Sequence, residues 1–205
     1  MFEELKGRRA GYIGAENYRK FAVMVPLLKQ KDGIHVLFEK RSSRLNRQPG
    51  EICFPGGARD GDETPLENAV RETSEELCLP REKIHVIAQM DTMLTAYNNE
   101  VSVFLCELED YQMSFSNSEV GEVFTVPLRF LLENPPSVYQ IAVTETPMEG
   151  FPYDRVPGGR DYYWRQGRRN VYFYDDYEGN TIWGLTAYIM QSVIKILQKE
   201  VKKSI

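Results

Sequence analysis

Residues 57–79, "GARDGDETPLENAVRETSEELCL", decide how this chain is read. The stretch opens on a glycine, passes through an acidic turn, "ARDGDE", and then takes on the pattern of a helix from about Pro65 to Leu77. The start signals are local. Thr64 is a natural N-cap, Pro65 suits the first helical position, and Glu67, three residues after Thr64, completes a capping box. On a helix turning about 100° per residue, Glu76 sits roughly 40° round from Glu72 and Glu75 about 60° the other way, so the three carboxylates can converge on one point. Like charges at this spacing cost an isolated helix about 0.2–0.5 kcal/mol per pair. They also lie away from the N-terminal end, where the helix dipole would favour them. A hard divalent cation is an economical compensation, because Mg2+ takes oxygen ligands and is normally held by one or two carboxylates together with substrate phosphates. The plain alternative is a solvated acidic face, with Arg71 paired to Glu75 and to Glu67 at four-residue spacing.

Upstream, "KFAVMVPLL" at 20–28 and "IHVLFE" at 34–39 are apolar and β-rich, and the Asp-Gly pair between them suits a tight reversal. A hairpin is expected there. A polar arm, "KRSSRLNRQPGE", leads from it into "ICFPGG". Downstream, "KIHVIAQM", "EVSVFLCEL" and "GEVFTV" read as strands, and "LRFLLE" as a short helix opened by Pro127, which makes the architecture mixed α/β. From Tyr139 to Asn180 the chain becomes rich in aromatic residues, Gly and Pro, and a second hairpin is expected around "RQGRRN". A last helix, from about Thr186 to Lys199, sets Ala187, Ile189, Met190, Val193, Ile194 and Leu197 on one apolar face. With no internal repeat and no convincing linker, residues 1–205 are expected to form a single domain carrying an aromatic-rich insertion at about 139–180, itself a surface suited to a homodimer contact.

Composition narrows the function classes. A chain of 205 residues, 42% hydrophobic and 27% charged, has the size of one globular domain with a sizeable core. Its 25 basic against 30 acidic residues give a net charge of −5, which disfavours a nucleic-acid partner bound through a broad basic surface. No run of about 18 apolar residues points to a membrane. Cys53, Cys78 and Cys106 are widely spaced and form no CxxC pair, so they read as reduced thiols and not as a zinc site or a disulfide framework. The opening "MFEELKGRRAGYIGAENYRKF" lacks an apolar signal-peptide core and the closing "KKSI" is not the Ser-Lys-Leu address, so a cytoplasmic location is expected.

The spacing of Gly57, Glu63, the Arg71–Glu72 pair and the Glu75–Glu76 pair, closed by Leu79, resembles the Nudix box, the signature of the Nudix hydrolases. Thr73 stands where the family usually has an aliphatic residue, and Cys78 where it usually has a glycine, so Cys78 is expected to resist the left-handed conformation and force a different helix exit. The resemblance implies the Nudix fold, an α/β/α sandwich with a mixed β-sheet. It implies that Glu72, Glu75 and Glu76 bind Mg2+ or Mn2+, that Arg71 orients a carboxylate, that Glu63 helps fix the loop, and that the Gly56–Gly57 backbone approaches metal and phosphate. Family members often add a glutamate from a loop beyond the central strands. Here "NSEVGEV" offers Glu119 and Glu122, and Glu119, within the loop, is the preferred one.

Nudix enzymes share attack of water on a diphosphate joined to a further moiety, and the box leaves that moiety open. The arm "RSSRLNRQPGEICFPGG" resembles the coenzyme A subfamily through Arg41, Ser42, Gly50, Phe54, Pro55, Gly56 and Gly57, and "WGLTA" at 183–187 resembles the entry to its last helix. Asn46, Gln48 and Glu39 depart from that pattern, at positions where Arg, His and Thr are common. By this resemblance, coenzyme A or an acyl-coenzyme A would be split into 3′,5′-ADP and 4′-phosphopantetheine. Arg41, Arg44 and Arg47 would then meet the small anionic substrate through charge-assisted bonds, beside Ser42. A hydrolase of ADP-ribose or another nucleoside diphosphate derivative is the nearest alternative. A non-catalytic Nudix-fold sensor is a third, opposed by the presence of all three box glutamates.

Overall fold

Two β-rich runs flank the Asp32–Gly33 pair, and they close on each other as a hairpin. In the computed structural model, which describes residue 2, residues 6–8 and residues 10–203, Arg19–Gln30 (β1) and Gly33–Arg41 (β2) pair antiparallel with Gln30 opposite Gly33. Part of the opening stretch and the end of "KKSI" lie outside the described residues. The chain divides into two compact units, residues 1–132 and 133–205.

In the first unit β1 and β2 are followed by Ile52–Cys53 (β3), Gly56–Ala58 (β4), Pro65–Glu76 (α1), Ile84–Gln89 (β5), Met93–Leu94 (β6), Asn99–Leu108 (β7), Val120–Pro127 (β8) and Leu128–Glu133 (α2). The sheet runs β3-β2-β1-β7-β5, with β4 on β1, β6 on β7 and β8 on β2. It is mixed because β1 and β7 are parallel while the other pairs are antiparallel. Met24, Leu28, Leu37, Phe104 and Cys106 meet Ala69, Leu77, Leu79 and Tyr111 in one buried core, so α1 covers this face. On β2 the alternation of side chains turns Phe38 the other way, where it stacks on Phe54 at 5.0 Å and Phe124 at 5.7 Å.

The expected capping box is formed. The Thr64 hydroxyl accepts from the Glu67 N–H at 3.2 Å, and the Glu67 carboxylate accepts from the Thr64 N–H at 2.8 Å. Thr73 is fully buried and its hydroxyl donates to the Ala69 carbonyl at 2.6 Å, so the polar group that stands in place of an aliphatic side chain is satisfied within the helix. The expectation for Cys78 is corrected. It adopts the left-handed conformation, φ 49°, that a glycine would take, and the Leu79 N–H closes onto the Ser74 carbonyl at 3.1 Å in a Schellman-type exit. Burial of Leu79 on the core and the bond it closes hold the residue before it in this disfavoured region.

The second unit is a three-stranded antiparallel sheet, β11-β10-β9, made of Ser137–Thr144 (β9), Gln166–Tyr177 (β10) and Asn180–Trp183 (β11), followed by Gly184–Lys203 (α3). Here the expected hairpin is misplaced. "RQGRRN" lies almost entirely within β10, Gly167 opposite Val143 and Arg169 opposite Ile141, while the tight reversal sits at Glu178–Gly179, both at positive φ. Two left-handed residues in sequence make the turn whose twist matches a hairpin, and a Gln-Gly pair inside a continuous β run does not compete with it. One face of the sheet packs on α3, where Ala187, Ile189, Met190, Val193 and Ile194 are buried and Leu197 is half-buried. Tyr172 stacks on Tyr188 and Trp183 on Phe173. Among the described residues no helix is long and apolar enough to cross a membrane.

Two stability outcomes follow from the ends of α1. Thr64→Ala should cost about 1 kcal/mol, read as a lower urea midpoint. Cys78→Gly should raise the midpoint by about 0.5–1 kcal/mol, because it relieves a left-handed L-residue whose thiol makes only a 3.8 Å contact with the Glu75 carbonyl.

Candidate active site

The last two turns of α1 carry the acidic face, and the structure shows how β4 is brought against it. Gly56 and Gly57 pair with Val23 and Ala22 of β1. At Gly56, φ 148°, a Cβ would lie 2.3 Å from the Ala22 carbonyl oxygen, and at Gly57 it would lie 2.6 Å from the Glu72 carboxyl carbon. Gly56 has no room for a side chain against the β1 backbone, and Gly57 has none while the Glu72 carboxylate keeps this position. Asn68, fully buried, fastens the helix to the same strand by donating to the Ala58 carbonyl at 3.2 Å. The Gly56 N–H then donates to the Glu76 carboxylate at 2.8 Å.

Glu76 is buried, and burial pushes its carboxyl up to about 8, against the Gly56 bond that lowers it and with the charges of Glu72 and Glu119 adding to the rise. Burial raises Glu72 as well, opposed by the adjacent Arg71. Among the described residues, oxygens of Glu72, Glu76 and Glu119 lie within 4.8 Å of one another. Glu119 reaches the helix through its loop. The Ser116 N–H donates to the Glu76 carbonyl at 2.7 Å and the Ser114 hydroxyl to the Leu77 carbonyl at 2.8 Å, so carbonyls left free at the helix end hold the loop in place. Glu122, the other loop glutamate weighed, lies 3.9 Å from Lys40 instead.

Arg71 organises the carboxylates beside the cluster. Its guanidinium makes a two-pronged bond to Glu63, at 2.8 and 3.1 Å, and meets Glu72 at 2.8 Å and Glu75 at 3.3 Å. The bond to Glu63 raises Arg71, and the same bond lowers Glu63. Arg71 thus lies between Glu63, Glu72 and Glu75 and holds all three beside the cluster. Glu75 is on Arg71, with its side chain largely exposed, and outside the cluster of Glu72, Glu76 and Glu119.

The basic arm is tied to the Glu119 loop. The Ser42 N–H donates to the Glu119 carbonyl at 2.8 Å, Ser42 itself is buried, and the Arg44 guanidinium donates to the Asn117 carbonyl. Arg41 donates from its guanidinium to the Arg47 carbonyl at 3.4 Å, while its buried Nε has no hydrogen-bond partner. Arg47 is exposed.

Sequence reasoning assigned no role to Glu39. It stands on β2 opposite Cys53 and Val123, is 1% exposed, and has one carboxylate oxygen with no hydrogen-bond partner. Burial first, and then the Glu76 charge, hold its carboxyl well above the usual range. The available signal was a lone acid ending the apolar run "IHVLFE". Cys53, its neighbour across the strands, is likewise pushed up by burial.

The donor set fits a hard divalent cation. Clustered carboxylate oxygens meet beside a glycine backbone, with Glu119 exposed and Glu76 buried, and no soft ligand belongs to the cluster.

A family model described as "NUDIX domain" matches residues 18–141. The chain is 36% identical over 129 residues to the peroxisomal coenzyme A diphosphatase NUDT7 of Mus musculus, an alignment that takes in 62% of this chain and spans about half, 54%, of that relative's length. It is 29% identical over 188 residues to the uncharacterized Nudix hydrolase NudL of Photorhabdus laumondii, covering 90% of this chain and 88% of the relative. A crystal structure of a MutT/nudix family protein from Enterococcus faecalis shares the fold, with a TM-score of 0.53 at 13% identity, covering 95% of this chain and 67% of that one. With the family model spanning more than half of its length, and the box glutamates gathered on the helix that the mixed sheet supports, the chain belongs to the Nudix hydrolase family.

Proposed function

We propose that this protein is a divalent-cation-dependent diphosphatase that splits coenzyme A or an acyl-coenzyme A into 3′,5′-ADP and the corresponding 4′-phosphopantetheine, with Mg2+ or Mn2+ as the cation. The observation that carries this reading is the convergence of Glu72, Glu76 and Glu119 beside the Gly56–Gly57 backbone, with the Arg41–Arg44 arm bonded to the very loop that delivers Glu119. Glu72, Glu76 and Glu119 would hold the cation, and Glu75 would join them on release from Arg71. Bound there, a divalent cation supplies positive charge against the diphosphate oxygens and makes water a better nucleophile at neutral pH. The chain's own residues do the rest. Arg71 fixes the Glu72 carboxylate, the Gly56 N–H fixes that of Glu76, and Arg41, Arg44 and Arg47 offer guanidinium groups to an anionic substrate, with Ser42 anchoring the arm. Glu119, the exposed member of the cluster, would take the proton from the attacking water. The likeness to a relative named as a coenzyme A diphosphatase supports the choice of substrate. The setting proposed is cytoplasmic.

The purified protein, incubated with Mg2+ or Mn2+ and coenzyme A, acetyl-coenzyme A, ADP-ribose, NADH or a nucleoside triphosphate, should turn over the coenzyme A compounds fastest, with products identified by mass spectrometry. Faster cleavage of ADP-ribose would replace this substrate, and tight binding with no product would make the protein a sensor. Glu76→Gln keeps an acceptor for the Gly56 N–H but removes the charge, so kcat should fall by about 100-fold or more with an unchanged circular dichroism spectrum. A rate near that of the parent would overturn the assignment.

Stability of the metal-free protein should depend on pH through Glu76. Its folded pKa is raised from the ordinary carboxylate value to about 8, so the folded state binds the extra proton. The resulting stability is complete below the unfolded value and is lost as pH rises through about 8. Melting temperatures of the metal-free protein should therefore fall across that window, and the fall should be smaller in Glu76→Gln.

A further inference from the structure

Glu39 is a carboxylate that packing alone does not explain. On β2 the side chains of Leu37, Glu39 and Arg41 point to one face, and Leu37 on that face packs with Ala69 and Leu77 in the core beneath α1. Glu39 therefore faces the layer that carries Glu76. The strand opposite it leads from Cys53 through Phe54 and Pro55 to Gly56, whose N–H holds the Glu76 carboxylate. The charges that act on Glu39 are those of Glu76, Arg41 and Glu119. Two of the three have its own sign, and the third, Arg41, leaves its Nε without a partner in the same interior.

Burying a charged group without a bonded partner is costly, so such groups are neutralised or paired. At 1% exposure with one oxygen unbonded, Glu39 has no solvent to rely on. A neutral side chain would fill the strand position without burying a charge.

We propose that Glu39 is a further oxygen ligand of the cation site formed by Glu72, Glu76 and Glu119, contributed by the sheet and not by the helix or the loop. The inference rests on the cation reading given above, and its test separates the two. The metal-free full-length protein is titrated with MnCl2 alone in a calorimeter, alongside Glu39→Gln, Glu76→Gln and Glu122→Gln. Glu122 is exposed near Lys40 and serves as a control for loss of a nearby charge. Glu39→Gln should weaken Mn2+ binding by about 10-fold or more, whereas Glu122→Gln should change it by no more than about twofold. Coordination itself is read in Glu39→Cys, built together with Cys53→Ser, by the thiolate-to-metal absorption that appears on adding Cd2+ and is absent with Cys53→Ser alone. This second variant also decides the matter if Glu39→Gln does not fold. Unchanged Mn2+ affinity in Glu39→Gln with weakened binding in Glu76→Gln would overturn the role of Glu39 and leave the site intact, as would the lack of a Cd2+ band in folded Glu39→Cys. Unchanged affinity in both glutamine variants would overturn the cation site itself.

Discussion

The bond from the Gly56 N–H to the buried Glu76 carboxylate is the constraint on which the site depends. Glu76 is the last residue of α1, where the helix dipole opposes a negative charge and where burial removes the solvent that would otherwise carry it. One backbone donor at 2.8 Å offsets part of that cost, and it can be supplied only if β4 comes within a side chain's thickness of the helix. Hence the two glycines. A side chain at Gly56 would strike the backbone of β1, and one at Gly57 would occupy the space of the Glu72 carboxylate.

The exit from α1 matters as much as its entry. The left-handed Cys78 turns the chain so that Leu79 drops into the core, and the loop at 114–116 bonds to the Glu76 and Leu77 carbonyls that this sharp ending leaves free. That loop then presents Glu119 to Glu72 and Glu76, and its backbone receives the Ser42 N–H and the Arg44 guanidinium from the arm after β2. Helix capping, loop placement and the basic arm are thus one connected hydrogen-bonded path. Strain in a non-glycine left-handed residue is kept because both ends of that path hold it.

What the sequence disclosed, and what it hid, divides along the range of the interactions. The capping box, the α1 span and the β1–β2 hairpin rest on neighbours within a few residues, so residue types alone revealed them. Glu119 was visible as a loop carboxylate, but its meeting with Glu72 depends on bonds across about 40 positions of chain. Glu39 was harder still, since its isolation is created by β3 and β8 closing on either side of it, and a single acid in an apolar run does not announce burial. The hairpin expected at "RQGRRN" failed for the opposite reason. A local Gln-Gly signal was overridden by a long register with β9, and the true reversal used Glu178, a residue with no strong turn signature.

Glu75 shows how a helical-wheel argument reaches its limit. Angles about the helix axis put it as near the common point as Glu76, yet those angles describe where side chains begin and not where their charges end. Arg71, four residues before Glu75, already holds Glu63 with two prongs and Glu72 with a third contact, and Glu75 takes the longest of the contacts, at 3.3 Å. An exposed ion pair at this spacing is worth only about 0.3–0.5 kcal/mol. The two-pronged, partly shielded pair with Glu63 is the firmer one, so the guanidinium stays where it is when Glu75 leaves it. In the proposed cation site Glu75 is therefore the carboxylate most easily recruited, Glu76 is fixed from the start, and Arg71 serves as the holder that keeps the mobile charge within reach.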